Sequence, residues 1–88
     1  MLKIKDNVDL KELERFGFKY TGNYNRGDCW EREMYITVNG IRLDGIIVTF
    51  SREISYLAPY RKDIKYPDIE IFIKDLIQAG YVEKVEEW

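Results

Sequence analysis

The dipeptide Asn39-Gly40 constrains the fold of this chain most strongly, because a strand-like run stands on each side of it. Asn-Gly suits a type I′ turn, which needs positive φ angles at both central residues, and it therefore predicts a β-hairpin. The turn sets a register of three facing pairs, namely Val38 with Ile41, Ile36 with Leu43, and Met34 with Gly45. A slip by one residue would turn this apolar set toward water, so we expect the register to be firm.

The run before the turn alternates in the way that a half-buried strand does. One face carries Trp30, Arg32, Met34, Ile36 and Val38, and the other carries Glu31, Glu33, Tyr35 and Thr37. The second arm of the hairpin continues to Phe50, and shorter strands are predicted around Phe18 and Tyr20 and over residues 54–57. Together these segments predict an antiparallel β-meander.

A short helix is predicted before the meander, over residues 10–16. Asp9 is a candidate N-cap, and Glu12 follows three residues later, as in a capping box. Gly17 supplies a left-handed stop. The apolar residues between cap and stop share one face, namely Leu10, Leu13 and Phe16.

A second helix is predicted between Pro67, which suits a first helical turn, and Gly80, which suits a helix end. The apolar residues between them follow the amphipathic helix spacing, namely Ile69, Phe72, Ile73, Leu76 and Ile77. A strand that starts at Ile69 is the competing interpretation, because the isoleucines at 69, 71 and 73 alternate.

The order of these elements predicts one α+β domain over residues 1–88. It has a short N-terminal helix, an antiparallel β-meander, and a C-terminal helix packed on one sheet face. The terminal segments 1–5 and 81–88 are candidates for a further pair of strands.

The chain has one cysteine, Cys29, and no histidine. This composition removes an intramolecular disulfide, most zinc sites and the commonest general base. No glycine-rich phosphate loop or nucleophile motif occurs. We therefore expect a protein that is not an enzyme and that uses no metal or cofactor.

The first residues do not resemble a signal peptide, and no run of about eighteen apolar residues occurs. We therefore expect a cytoplasmic protein with no membrane partner. The tripeptide Arg26-Gly27-Asp28 matches the adhesion motif of integrin ligands. Because it falls where the alternation predicts a turn, and because no export signal accompanies it, we expect no integrin partner.

Seven of the thirteen aromatic residues are tyrosines, and two are tryptophans. These residue types are favoured anchors of protein interfaces. The candidate binding residues are Tyr35, Tyr56, Tyr60, Arg61, Lys62, Lys65 and Tyr66. The leading hypothesis is a small non-catalytic protein that acts through a protein partner or through self-association.

Residues 60–66 also support an alternative function, because aromatic rings alternate there with three cations. Such a loop could stack bases and contact phosphates, which predicts a weak nucleic-acid-binding domain. The formal net charge of −2 and the acidic end of the chain argue against tight binding to a phosphate backbone.

The stretches MLKIKDNVDLKELERFGF and DLIQAGYVEKV resemble small uncharacterised proteins of phages and prophages in low-GC Gram-positive bacteria. Such proteins commonly have a lysine-rich first strand, a short helix that ends in Gly-Phe, and a tyrosine-rich β-meander. The resemblance implies an accessory role, such as binding and blocking a host protein. Its motifs are structural, so it assigns no functional residues.

Overall fold

The computed structural model describes residues 1–22, 28–38, 40–57 and 66–85. The strands are β1 (Leu2–Ile4), β2 (Lys19–Tyr20), β3 (Trp30–Val38), β4 (Ile41–Val48), β5 (Ile54–Leu57) and β6 (Val82–Lys84). The helical segments are two 3₁₀ helices, Leu10–Phe16 and Ile69–Phe72, and one α-helix, α1 (Lys74–Gln78). The predicted α+β class with antiparallel sheets is confirmed.

The four central strands form an antiparallel meander in the order β2-β3-β4-β5. The terminal strands β1 and β6 pair antiparallel in a separate two-stranded sheet, which confirms that the two ends of the chain meet. A bridge between Lys3 and Glu53 links the sheets, and the Ile4 amide donates to the Arg52 carbonyl at 2.8 Å.

The hairpin register is confirmed near the turn, where Val38 pairs with Ile41 and Ile36 pairs with Leu43. The predicted facing of Met34 and Gly45 is wrong, because Gly45 pairs with Glu33 instead. A β-bulge lies between these pairs, so that Met34 and Tyr35 together oppose Asp44 alone. The predicted alternation of β3 as one uninterrupted face therefore ends at the bulge.

The buried residues of β4 lie on two faces of the strand. Leu43 and Ile46 are three positions apart, so they point to opposite sides of the strand. Ile46 belongs to the main core, whereas Leu43 is buried outside that cluster. The predicted second arm also ends earlier than Phe50, since β4 stops at Val48 and Phe50 lies in a turn with its side chain exposed.

The first helix occupies the predicted residues as a 3₁₀ helix. Its apolar side chains recur at every third position, which is the period that a 3₁₀ helix places on one face. The Asp9 side chain caps it by accepting from the Lys11 amide at 3.0 Å, and Gly17 ends it in the left-handed conformation with a φ of 84°. The Glu12 carboxylate lies 3.2 Å from the Arg15 guanidinium rather than completing a capping box.

The predicted second helix is divided into the 3₁₀ helix Ile69–Phe72 and α1. Ile73 interrupts them with a φ of −127° and a ψ of 28°, and its side chain is buried in the core. Asp68 caps the first part by accepting from the Glu70 amide at 3.0 Å. Ile77, which the helical pattern placed on the apolar face, is exposed.

One hydrophobic core joins both sheets and receives side chains from the helical segments. Its buried members are Ile4, Leu13, Phe18, Trp30, Ile46, Val48, Ile54, Ile73 and Leu76. They come from the meander, from β1 and from the helical segments, so the helices and the terminal strands share one core with the meander.

Among the helices in the described ranges, none has the length and apolar character needed to cross a lipid bilayer.

Candidate functional site

The β3–β4 hairpin carries the most exposed of the predicted binding residues that the structure describes. Tyr35 lies in the bulge of β3, and 69% of its surface is accessible. The guanidinium carbon of Arg42 lies 4.0 Å from the centre of the Tyr35 ring, which is the geometry of a cation–π contact. The hairpin therefore presents an aromatic ring and a cation as one stacked unit.

A shallow depression of about 440 Å³ adjoins this pair. Its lining residues, which we call the ribbon surface, are Glu33, Tyr35, Arg42, Asp44 and Leu57. Acidic, basic, aromatic and aliphatic groups lie side by side there, as they do in the rims and anchors of protein interfaces. The arrangement suits contact with another protein, since it combines apolar area with charges of both signs.

Arg42 was not among the predicted binding residues, although a signal for it is present in the sequence. The Asn39-Gly40 turn places Arg42 opposite Thr37 on the predicted polar face of the hairpin. In the predicted register Tyr35 lies on the same face, one pair away from Arg42, and the structure places it in the bulge. The sequence pattern does not mark the bulge.

Tyr56 is partly buried and has a defined structural role. Its hydroxyl donates to the Pro67 carbonyl at 2.9 Å, and its ring lies 5.7 Å from that of Tyr66 and 6.2 Å from that of Phe72. Burial raises the pKa of the Tyr56 hydroxyl, and the Asp68 carboxylate raises it further. Tyr56 therefore fixes the start of the C-terminal segment to the sheet.

Of the other predicted binding residues, Tyr66 lies in the described structure. Tyr66 is partly buried against Tyr56. Tyr60, Arg61, Lys62 and Lys65 lie outside the described residues. Nucleic-acid binding by this loop therefore stays a prediction.

Asp28 is the one residue of the Arg-Gly-Asp tripeptide that lies in the described structure. Its carboxylate accepts a hydrogen bond from the Tyr20 hydroxyl at 2.5 Å. The neighbouring Cys29 is buried. Within the four described ranges, no group of three or more acidic or cysteine side chains is arranged to hold a metal ion.

Comparison of the chain with protein-family models, curated proteins and solved structures finds no match.

Proposed function

We propose that this chain is a small non-catalytic accessory protein that binds another protein through its ribbon surface. The observation that carries the proposal is the stacked pair of Tyr35 and Arg42, which stands on a hairpin with 69% of Tyr35 accessible. The proposed partner is a host protein, in keeping with the resemblance of both chain ends to proteins of phages and prophages.

Tyrosine and arginine are enriched among the residues that dominate binding energy at protein interfaces. The stacked contact restrains both side chains before a partner arrives, so less side-chain entropy is lost on association. Glu33 and Asp44 supply charges beside the pair that can pair with cations on a partner. These features favour a preformed contact surface over an exposed ring that only covers the sheet.

The experiment compares proteins that co-purify from a bacterial lysate with the tagged wild type and with two variants. Tyr35→Ala removes the ring at the centre of the ribbon surface. Phe50→Ala is the matched control, because it removes another exposed aromatic ring, 61% accessible, from a turn outside that surface. We expect a defined partner to bind the wild type and Phe50→Ala, and its affinity to fall at least about tenfold for Tyr35→Ala.

Recovery of the same proteins in the same amounts with Tyr35→Ala would contradict the proposal. Light scattering over a concentration series separates self-association from binding to a second protein. We expect a monomer. A dimer that Tyr35→Ala dissociates would assign the ribbon surface to self-association and overturn the host-protein partner.

A further inference from the structure

A second recessed surface lies at the opposite end of β3 from the hairpin turn, between the first 3₁₀ helix and β2. It is a cleft of about 510 Å³, within the range of roughly 300–1,000 Å³ that small ligand sites occupy. Its lining residues, which we call the acidic cleft, are Asp9, Leu10, Lys11, Glu14, Tyr20, Asp28 and Trp30. None of the predicted binding residues belongs to it.

Two aromatic rings form adjacent walls of the acidic cleft. The ring centres of Tyr20 and Trp30 are 5.3 Å apart with an interplanar angle of 65°. These residues are paired across β2 and β3, so the strand register places them side by side. The contact is edge-to-face, and because Trp30 is only 6% accessible, the π face that is open to a cation belongs to Tyr20, with Trp30 behind it.

Tyr20 is exposed and yet held in position. Its surface is 52% accessible, but its hydroxyl donates to Asp28 and its ring makes an edge-to-face contact with the Trp30 ring. The ring also packs so closely over Gly22 that a Cβ there would lie 2.7 Å from the Tyr20 Cζ. An exposed ring with three restraints is prepared for a ligand, because little freedom is lost on binding.

The charges around the cleft favour a cation. Three carboxylates line it, those of Asp9, Glu14 and Asp28, against the single ammonium group of Lys11. The Asp28 carboxylate binds the Tyr20 hydroxyl through Oδ1. Its other oxygen can accept from a ligand placed over the Tyr20 ring.

We propose that the acidic cleft binds an arginine side chain of a partner peptide. A guanidinium is planar, so it stacks on an aromatic face while its N–H groups reach a carboxylate. Lysine lacks the planar fork and is more strongly hydrated, which favours arginine here. The proposal rests on Tyr20, Asp28 and Trp30 and is independent of the ribbon surface.

The test titrates acetyl-Gly-Arg-Gly-amide into the isotopically labelled full chain at low salt, and follows the Trp30 indole N–H and the amides of the cleft by NMR. The peptide with citrulline in place of arginine is the neutral control of the same shape. We expect saturable shifts at Tyr20, Asp28 and Trp30 with arginine, and binding about tenfold weaker with citrulline.

Two variants separate the charge from the aromatic wall. Asp28→Asn removes the charge, while its amide oxygen can still accept from Tyr20. Gly22→Ala leaves every carboxylate in place and displaces the Tyr20 ring. We expect each variant to weaken binding by roughly three- to tenfold, and Asp6→Asn, an exposed acid outside the cleft, to leave it within about twofold.

Four results would overturn the proposal: shifts that do not saturate, citrulline that binds as tightly as arginine, equal affinities for Asp28→Asn and Asp6→Asn, or tighter binding of the corresponding lysine peptide. The thermal unfolding midpoint of each variant shows whether it is folded under the conditions of the titration. None of these results depends on Tyr35, so failure here would leave the proposed function untouched.

Discussion

Arg32 lies on the core side of β3, where the sequence pattern places a row of apolar residues. Only 14% of its side chain is accessible. Its guanidinium donates to the Phe16 carbonyl at 3.1 Å, to the Phe72 carbonyl at 2.6 Å and to the Asp75 carboxylate at 2.7 Å. It also lies over the Phe18 ring, 4.7 Å from its centre. One side chain thus joins the end of the first 3₁₀ helix to the end of the second and to α1.

Arg32→Lys should destabilise the fold, because an ammonium group cannot reach three acceptors with the geometry of a guanidinium. At least one partly buried carbonyl would lose its donor, and we expect the free energy of unfolding to fall by about 2 kcal/mol. Arg15→Lys is the matched control, since Arg15 is an exposed partner of Glu12. It should change the free energy by less than about 0.5 kcal/mol. Equal urea unfolding curves for the two variants would contradict this role of Arg32.

Gly45 is required where β3 and β4 approach each other at the bulge. Its φ is 154°, and a Cβ there would collide with the Arg32 carbonyl oxygen and lie 3.0 Å from the Glu33 Cα. Both obstacles are backbone atoms, so rotation of a side chain cannot relieve the clash.

Gly45→Ala should therefore lower the free energy of unfolding by at least about 2 kcal/mol. Gly40→Ala is the control, because Gly40 also has a positive φ, 77°, but nothing lies within 4 Å of its added Cβ. That variant should cost about 1 kcal/mol, from backbone strain alone. Chemical denaturation measures the loss in free energy of unfolding for both variants. A smaller loss for Gly45→Ala than for Gly40→Ala would contradict this role of Gly45.

Tyr56 links the stability of the fold to alkaline pH. Burial, followed by the Asp68 carboxylate, raises its pKa above the ordinary 10.0 in the folded state. Above pH 10 the unfolded chain therefore binds fewer protons than the folded one. The stability that the protonated Tyr56 hydroxyl contributes is complete below that pH and is lost as the pH rises through the folded pKa.

Tyr56→Phe should cost about 1 kcal/mol near neutral pH through the lost hydrogen bond to Pro67. The advantage of the wild type should then shrink as the pH rises above about 10 toward the raised pKa of Tyr56 in the folded state. Urea unfolding at neutral pH and at pH values above 10 measures this difference in free energy of unfolding. Tyr35→Phe is the control, because it removes a hydroxyl from an exposed ring. A wild-type advantage that grew with pH would contradict a raised pKa of Tyr56 in the folded state.

At the scale of elements, local chemistry predicted the ends and turns more successfully than the type and extent of the segments. Asp9, Gly17 and Gly40 act on their immediate neighbours, so their effects could be predicted without the fold. The interruption at Ile73 depends on burying that side chain in the core, and the bulge depends on the contact of Gly45 with the facing strand. Tertiary packing decides both, so a pattern along one segment does not reveal them.

The candidate sites also differ in whether local sequence or tertiary packing determines them. The exposure of Tyr35 follows from its place on the predicted polar face of the hairpin. The acidic cleft needs the pairing of β2 with β3, and the turn predicted between these strands does not by itself set their register. Residues 58–65, which contain most of the predicted basic-aromatic loop, lie outside the described structure, so that prediction is neither confirmed nor wrong.

The position of β4 in the sheet predicts a gradient of stability along this strand. Residues Ile46, Ile47 and Val48 pair with β3 on one side and β5 on the other. Residues 41–43 pair with β3 alone among the described strands. Amide hydrogen exchange should therefore be slower at 46–48 than at 41–43 by at least about tenfold, because opening the hairpin end does not require opening the core. Uniform protection along β4 would contradict this.

For the whole molecule, the proposed binding surface lies apart from the hydrophobic core. The core residues of both sheets and the helical segments meet in one cluster, and β1 joins β6 beside it. Tyr35 and Arg42 lie on the hairpin outside that cluster. Substitutions at the ribbon surface should therefore alter binding with little effect on folding. We propose that this surface contacts another protein.

The most direct test replaces Tyr35 by the photo-crosslinking residue p-benzoylphenylalanine and irradiates the protein in a bacterial lysate, with the same replacement at Phe50 as the control. We expect a discrete crosslinked product from position 35, containing a second protein, that is absent from position 50. The same products from both positions, or none from position 35, would contradict the claim that the ribbon surface is a protein-binding site.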